Sequence, residues 1–455
     1  MLYIIIWFFT LLLSIFLFRK ASGSLSLLKP NMLSIVFYYS LFITCFIGAL
    51  LIVLNVDQHY MIARIRDDGV REIGYWLIIL IMILLPATMV AVASILGFDA
   101  KKELNGYLKK PVIFEESKSQ HVLFIVFSAV SLIGVSAVLY TFLMLNQIPL
   151  IGLLTGATST ELAQMRIDSS RNFGGNVLIR NILAINLVPL LSIIAYVYGT
   201  FTKDPKWRIW FVVLFFSSIL INVYNLAKAP IFFYFLMLLL TALYIGHIRL
   251  SARRIFAMLS VGVIGIIIMY VFIQDVRDLN QFLSYNSGPI GRLILAQIAP
   301  FFLHLDLFGQ FVPYLNGASL PSSMLSLYDV EHVRSARLTL EYYFPNRVED
   351  GTGGVLNTIY AAEAYANFRY AGVILGTIYI GLLLQLMYMI FLRLPKHPIY
   401  IALFIFFTIN IPRTLVGGFT DFLYNPLWIA VTVLTIGILI VKRVYQEGKD
   451  RIRLR

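Results

Sequence analysis

Residues 73–97 read IGYWLIILIMILLPATMVAVASILG, with no charged side chain in the run. A helix of about 20 apolar residues crosses the hydrocarbon layer of a bilayer, so this stretch predicts a membrane-spanning helix. The whole chain has the same character: 60% of its 455 residues are hydrophobic, 13% are charged, and its mean hydropathy is +0.84. This composition excludes a soluble globular protein and predicts an all-α polytopic membrane protein.

Apolar runs of similar length recur along the chain and predict about eleven spans, within a range of ten to fourteen. They lie near 2–18, 33–54, 73–97, 121–145, 177–199, 209–225, 230–246, 255–273, 371–392, 399–411 and 425–441. The run at 399–411 ends at Pro412, which leaves room for a tilt or an extension. The first charges, Arg19 and Lys20, follow the first run, so an uncleaved helix is expected there rather than a signal peptide. The single cysteine, Cys45, excludes a disulfide framework.

Basic residues are distributed unevenly between alternate links. With the N-terminus outside, the inner links hold 22 basic and seven acidic residues, whereas the outer segments hold 14 and 16. Cytoplasmic links collect Lys and Arg, so the C-terminus is expected in the cytoplasm. The net charge of +13 is then mainly a signal of topology, and no nucleic-acid partner is expected.

Residues 274–370 interrupt the apolar pattern with arginines, nine carboxylates and two histidines, but no lysine. Two apolar runs inside it, 289–313 and 354–370, are broken by Pro or charged residues and predict amphipathic or re-entrant helices. The predicted organisation is therefore a bundle over 1–273, one large outer loop over 274–370, and three spans with a basic tail over 371–455. One large polar loop among short links is expected to carry the function.

Arginine dominates the predicted outer face, where Lys228 is the one lysine among 14 basic residues. The planar guanidinium suits diphosphate and carboxylate, although pairing with the outer acids is the alternative. Arg334 and Arg337 share a face if helical, with Glu341 in reach of Arg337. The aromatic residues that follow suit either sugar stacking or core packing of the loop.

Two further outer segments carry candidate ligands. Arg180 lies near the outer end of the fifth span, where it either reaches the headgroups or serves lipid phosphate binding or catalysis. Asn222, Asn225 and Lys228 recur every three residues, which predicts one polar helical face. That face is either a hairpin cap or a ligand for a lipid diphosphate.

Several classes of chemistry lack their signatures. The chain has no nucleotide phosphate-binding loop and no dinucleotide fingerprint, and its six histidines are scattered without an H-E-x-x-H pattern. The inner links are too short for a catalytic domain. An ATP-driven pump, a cytosolic sugar-nucleotide transferase and a metal hydrolase are therefore not expected, and neither a metal nor another cofactor is predicted.

Two elements resemble bacterial oligosaccharide repeat-unit polymerases of the Wzy type (O-antigen polymerases). They are Asn225-Leu-Ala-Lys-Ala-Pro230 and Gly354…Glu363-Ala-Tyr-Ala-Asn367-Phe368, each entering an apolar run, and the resemblance covers roughly residues 171–392. Arg277…Gly288 matches the family's Arg-x10-Gly spacing. The family usually has glycine after Asn-Phe, where this chain has Arg369.

The resemblance implies a GT-C-like glycosyltransferase of lipopolysaccharide or other polysaccharide biosynthesis. It would act at the periplasmic face of the bacterial cytoplasmic (inner) membrane, transferring the growing glycan from undecaprenyl diphosphate to a new lipid-linked repeat unit. Expected partners are undecaprenyl-diphosphate-linked glycans, membrane lipids, a chain-length regulator and a flippase. No nucleotide is needed, because the diphosphate already activates the donor.

Fixed cations would stabilise the departing diphosphate, and a carboxylate or histidine would deprotonate the acceptor hydroxyl. The predicted diphosphate and sugar ligands are Arg166, Arg171, Arg180, Lys228, Arg277, Arg292, Arg334, Arg337 and Arg347. The predicted acceptor bases are, in descending order, Glu363, Asp168 and His304. The alternatives are an O-antigen ligase-type transferase and a flippase for lipid-linked glycan; a flippase is less favoured because most spans carry no charge.

Overall fold

The computed structural model describes residues 1–257, 260, 262, 264, 265, 267, 284, 286, 288–350 and 352–453. Most of the predicted span 255–273, together with Arg277, lies outside the described residues. Helices account for 74% of the structure, and the described part contains no strand. The prediction of an all-α architecture is confirmed.

Nine helices among the described residues are long and apolar enough to cross a membrane. They are Leu2–Ser22, Met32–Val53, Gly69–Ile95, Ser119–Leu143, Ile179–Phe201, Pro205–Val223, Ala361–Arg393, Pro398–Leu415 and Thr420–Glu447. Two shorter helices, Gly288–Ile294 and Ala299–Leu307, meet at 51° as a broken span or a re-entrant loop, as expected for the run at 289–313. Lys228–Tyr244 is apolar but shorter, matching the run predicted at 230–246. The chain is therefore a multi-pass membrane protein.

The helix Ala361–Arg393, here called the kinked helix, consists of two helical segments. They meet at a break formed by Phe368 (φ −134°, ψ 23°) and Arg369 (φ 54°, ψ −144°). The first segment, which begins at Ala361, is the helix predicted within 354–370, and the second coincides with the span predicted at 371–392. Glu363 lies in the first turn of the first segment, where its carboxylate accepts a hydrogen bond from the Thr420 N–H.

A proline inside a helix removes one backbone hydrogen bond, yet the helix Pro398–Leu415 runs through Pro412. The Ser40 hydroxyl donates a hydrogen bond of 2.7 Å to the Pro412 carbonyl. Ser40 belongs to a π-helical stretch, Val36–Phe46, within the second span. The helix therefore extends past Pro412 to Leu415, which is one of the two arrangements that the sequence left open.

The chain divides into two compact units. Unit 1 comprises Met1–Gly106, Val276–Arg393 and Thr408–Asn425, and unit 2 comprises Tyr107–Asp275, Leu394–Phe407 and Pro426–Arg455. In unit 1 the helix Gly69–Ile95 is central and packs against both Leu2–Ser22 and the kinked helix. The predicted division into bundle, outer loop and final spans concerns membrane topology and stays a prediction.

Unit 2 is built around the segment Ile179–Phe201, which packs against Pro205–Val223. The Tyr198 ring stacks on Trp207 with 4.1 Å between ring centres. The Glu115 carboxylate accepts hydrogen bonds from the Tyr198 hydroxyl (2.7 Å) and from His397 Nε2 (2.9 Å). The Lys442 ammonium lies 3.3 Å from the same carboxylate.

The Glu115 network predicts a loss of stability in acid. Burial alone raises the pKa of Glu115, but the hydrogen bond and charge of His397 and the Tyr198 hydroxyl outweigh it and lower the pKa from 4.5 to about 2. As the pH falls, the Glu115 carboxylate is therefore protonated in the unfolded chain before it is protonated in the folded protein. The stabilisation that Glu115 gives the fold is complete above pH 4.5 and is lost as the pH falls toward 2. Glu115→Gln should destabilise the protein by about 3 kcal/mol near neutral pH.

Thermal unfolding in detergent from pH 7 to pH 3 tests this prediction. The exposed neighbour Glu116 provides the matched control, because Glu116→Gln removes a carboxylate from the same link. Equal midpoints for the two variants at pH 7 would show that the network contributes nothing.

Candidate functional site

Glu363 is the predicted acceptor base whose surroundings are best defined. Its side chain is 9% exposed, and its carboxylate accepts hydrogen bonds from the Thr420 backbone N–H (3.0 Å) and hydroxyl (3.2 Å). Thr420 begins a short helix after the Gly417-Gly418 turn that follows the helix Pro398–Leu415. A buried carboxylate is thus fixed between two helix ends that are distant in sequence.

Gly418 lets the turn approach this carboxylate. A β-carbon there would lie 2.8 Å from Glu363 Oε2 and 3.8 Å from Asp421 Oδ2, so both carboxylates border the same small space. Asp421 and Arg334 are exposed, and the Arg334 guanidinium interacts electrostatically with Asp421. Glu363, Thr420, Asp421 and Arg334 are called the Glu363 cluster below.

Asn367 holds the broken end of the first segment of the kinked helix. Its Nδ2 donates to Ser319 Oγ (2.6 Å) and to the Glu363 carbonyl (2.8 Å), while its Oδ1 accepts from the Gly317 N–H (3.0 Å). The Ser319 hydroxyl also interacts with the Glu363 carboxylate. Asn367 therefore connects the loop at 317–319 to the Glu363 cluster.

The same loop satisfies backbone groups that the kink leaves open. A helix that ends abruptly exposes carbonyls without intrahelical donors. The Leu315 N–H donates to the Ala366 carbonyl (2.9 Å), and the Asn316 N–H donates to the Asn367 carbonyl (3.2 Å). These contacts stabilise the kink and hence the position of Glu363.

Arg369, at the kink, adopts a backbone conformation that favours glycine, with φ 54° and ψ −144°. The guanidinium carbon lies 5.1 Å from the centre of the Tyr314 ring, and the Tyr314 hydroxyl lies 3.2 Å from that of Tyr365. The backbone at 369 is thus strained, while the side chain makes a compensating contact.

Arg369→Gly should raise the free energy of unfolding by about 1 kcal/mol. Relief of the strained backbone contributes about 1–3 kcal/mol, and loss of the cation–π contact removes about 0.5–1 kcal/mol. Arg369→Ala is the control, because it loses the cation but keeps the strain, and it should destabilise. Thermal unfolding in detergent distinguishes them; a glycine variant no more stable than the alanine variant would contradict the strain.

The other predicted site residues of unit 1 have different surroundings. His304 is 1% exposed, and its Nδ1 donates to the Pro300 carbonyl (2.7 Å) within its own helix. Arg292 is exposed on the helix Gly288–Ile294. Arg347 lies against the Tyr60 ring, with 5.3 Å from its guanidinium carbon to the ring centre.

Arg334 and Arg337 do not share a helical face, because the helix begins at Ser335 and Arg334 is its N-cap. Arg337 pairs with Glu341 (2.6 Å) and donates to the Gly353 and Gly354 carbonyls. The two guanidiniums therefore have different partners, and Arg334 alone of the pair joins the Glu363 cluster.

In unit 2, Arg180 is held by protein groups. It is 7% exposed, donates to the Ser169 carbonyl and Asn181 Oδ1 (both 3.1 Å), and stacks at 4.5 Å over Phe173. Ser169 and Phe173 line a cavity of about 320 Å³. Its remaining lining residues are Met144, Leu145, Asn146, Gln147, Asp168 and Asn172.

Asp168 accepts hydrogen bonds from Asn172 (3.1 Å) and Gln164 (3.3 Å), so a predicted base lies on the wall of this cavity. Arg166 and Arg171 lie on the same helix, Ser159–Arg171. The structure thus brings Asp168 close to residues that bind Arg180.

An apolar groove of about 370 Å³ is lined in part by residues that flank Arg180 in the sequence. Both helical segments that form it belong to unit 2, and Leu178 and Val433 on its walls are 63% and 62% exposed. Its lining residues are Leu178, Ile179, Ile182, Leu183, Ala430, Val433 and Leu434. Such exposed apolar surface suits a lipid chain.

The predicted polar face of the hairpin is wrong. The helix Pro205–Val223 ends before Asn225, and the next helix begins at Lys228. Leu226 has φ 56°, and Asn225 Oδ1 accepts from the Ala227 N–H (3.0 Å) in an Asx turn. The asparagine competes with the helix for backbone hydrogen bonds, so three-residue spacing does not mean a shared face here.

Sequence reasoning missed Asp421 as a site residue, although it counted it among the outer acids. The available signal was its position three residues after the Gly417-Gly418 pair that follows a predicted span. Arg64 and Arg66 were also missed. Among the residues that the structure describes, no group of three His, Cys, Asp or Glu side chains is placed to hold a metal ion.

Fold and site together define a polytopic helical membrane protein with a buried carboxylate at the junction of two spans. Comparisons of the chain with protein-family models, with curated proteins and with solved structures found no match.

Proposed function

We propose that this protein polymerises lipid-linked oligosaccharide repeat units at the outer face of the bacterial cytoplasmic membrane. The growing glycan leaves undecaprenyl diphosphate as its anomeric C–O bond breaks, and a new bond forms to a hydroxyl of a fresh lipid-linked unit. The hydroxyl proton passes to a protein carboxylate, and undecaprenyl diphosphate departs.

The observation that carries the proposal is the Glu363 cluster. A buried carboxylate fixed by Thr420 suits proton abstraction from a bound hydroxyl, and Asp421 offers a second, exposed carboxylate beside it. Arg334, also exposed, supplies a permanent positive charge that suits a departing diphosphate. Glu363 and Asn367 both belong to a motif that carries the resemblance, and Asn367 contacts the Glu363 carbonyl from outside the cluster.

Unit 2, taken by itself, has features suited to binding a lipid chain. The groove between Leu178 and Val433 has the apolar lining that a segment of polyprenyl chain requires. Arg180 follows Ile179, which lines the groove. Its guanidinium donates a hydrogen bond to the carbonyl of Ser169, a residue on the wall of the polar cavity. The groove therefore suits the hydrocarbon part of a lipid substrate, and Arg180 fixes the neighbouring cavity wall from a buried position.

The test is reconstitution of the purified protein in nanodiscs with an undecaprenyl-diphosphate-linked repeat unit. A ladder of products that differ by one repeat is expected on gels and by mass spectrometry. Transfer of glycan to an added lipid A core instead would indicate a ligase. Movement of substrate across vesicles without new glycosidic bonds would indicate a flippase.

A further inference from the structure

Unit 1 carries a second polar surface, formed by arginines stacked on aromatic rings. The Arg64 guanidinium carbon lies 4.4 Å from the centre of the Phe344 ring, and that of Arg347 lies 5.1 Å from the same ring. The guanidinium carbon of Arg66 lies 4.8 Å from the Phe311 ring centre and 5.0 Å from that of Tyr342. The arginine patch is Tyr60, Arg64, Arg66, Phe311, Tyr342, Phe344 and Arg347.

A buried carboxylate fixes the segment that carries two of these arginines. Asp306 is 0% exposed and accepts hydrogen bonds from the backbone N–H groups of Arg66 (3.1 Å) and Asp67 (3.0 Å). It also accepts from the Tyr343 hydroxyl (2.5 Å). Burial and this carboxylate raise the pKa of Tyr343, so the hydroxyl remains a donor. Arg64 in turn donates to the Tyr343 carbonyl.

The patch carries three positive charges, and the Asp306 and Asp67 carboxylates beside it are bound to backbone N–H groups. Within the part of the chain described, Arg64, Arg66 and Arg347 form no ion pair. The nearby carboxylates have other partners: Asp67 accepts from the Gly69 N–H and from Gln310, and Glu341 pairs with Arg337. The three arginines are exposed, as are Tyr60 (47%) and Phe311 (42%).

Arg64 and Arg66 each donate one Nη1–H to the protein, to the Tyr343 carbonyl and to the Tyr342 hydroxyl (2.7 Å) respectively. The other N–H groups of a guanidinium edge match the oxygens of a carboxylate. Because the rings restrict the arginine rotamers, less conformational freedom is lost when an anion binds. Exposed aromatic rings beside them suit the apolar faces of sugars. Neutral sugars would use the rings but not the charges.

We infer that the arginine patch binds an acidic oligosaccharide, with its uronate carboxylates on the arginine edges and its rings on Tyr60 and Phe311. Binding of such a glycan is a property of the patch alone. That it is the protein's own repeat unit rests on the proposed function.

The test compares trigalacturonate with neutral maltotriose by calorimetry, using the full chain in phosphatidylcholine nanodiscs. Trigalacturonate should bind about tenfold more tightly, because several exposed charge-assisted hydrogen bonds each contribute a small factor. The combined variant Arg64→Gln, Arg66→Gln and Arg347→Gln should lose this preference. Arg443→Gln, which removes an exposed arginine of unit 2, should keep it.

Equal binding of the two trisaccharides, or a preference retained by the combined variant, would overturn the inference. If the combined variant does not fold, Arg347→Gln alone should weaken trigalacturonate binding about threefold. Loss of binding in phosphatidylglycerol nanodiscs would assign the arginines to lipid headgroups and also overturn it. A protein that binds trigalacturonate but forms no polymer ladder would contradict the proposed function and leave the patch intact.

Discussion

Glu363→Gln should reduce polymer formation by about 10²–10⁴-fold while leaving the protein folded. The amide oxygen can still accept the Thr420 N–H, so the contact that fixes the side chain survives. What is lost is the ability to accept the acceptor's proton. The measurement is the rate of ladder formation in nanodiscs at saturating substrate, together with the unfolding midpoint.

Two further variants sharpen this result. Glu331→Gln removes an exposed carboxylate elsewhere in unit 1 and should leave the rate unchanged. Asp421→Asn reports whether the second carboxylate shares the proton transfer. If Glu363→Gln retains the wild-type rate and Asp421→Asn does not, the base is Asp421; if both retain it, the Glu363 cluster is not the active site.

Gly372→Ala should be the most destabilising small substitution in the kinked helix. A β-carbon at this buried position would lie 2.1 Å from the Ala364 carbonyl oxygen and 3.0 Å from the β-carbon of Phe368. Backbone on the far side of the kink cannot yield as a flexible side chain does, so the expected cost is about 3 kcal/mol or more. The kink would open, and Glu363 would move with it.

Gly437→Ala is the matched control, because a β-carbon there meets nothing within 4 Å. It lies in the helix Pro426–Arg453, where alanine should be neutral or stabilising by up to about 1 kcal/mol. Tryptophan fluorescence during thermal unfolding in detergent compares the two variants. Midpoints for Gly372→Ala within about one degree of the wild-type value would show that the kink does not depend on a close backbone approach.

Much of the fold follows from hydropathy, and the reason is physical. A span must bury its own backbone polar groups in an apolar helix, so it leaves a local signal of about 20 residues. The helices Gly69–Ile95 and Ile179–Phe201 match runs predicted from composition alone. The first segment of the kinked helix falls within the run predicted at 354–370, but the contact between Glu363 and Thr420 has no signal in the sequence.

The candidate site could be predicted only in part, because it depends on contacts between residues far apart in the sequence. Glu363 and Arg334 were predicted as site residues, whereas Asp421 was not and Asn367 entered only as part of the motif that carries the resemblance. Arg337 was predicted to share a helical face with Arg334, which it does not. Whether two charges meet depends on turns such as Gly417-Gly418, whose geometry has no periodic signal. Orientation in the membrane and the GT-C-like fold stay predictions.

Sequence alone determined that this chain crosses a membrane many times and concentrates arginine and carboxylate residues in a few polar segments. Tertiary structure decided which of those residues lie close together: Glu363 with Asp421 and Arg334, and Arg180 with the wall of the cavity that Asp168 lines. The difference arises because apolar burial is a property of each helix, whereas a polar site requires residues far apart in sequence to satisfy one another's hydrogen bonds and charges.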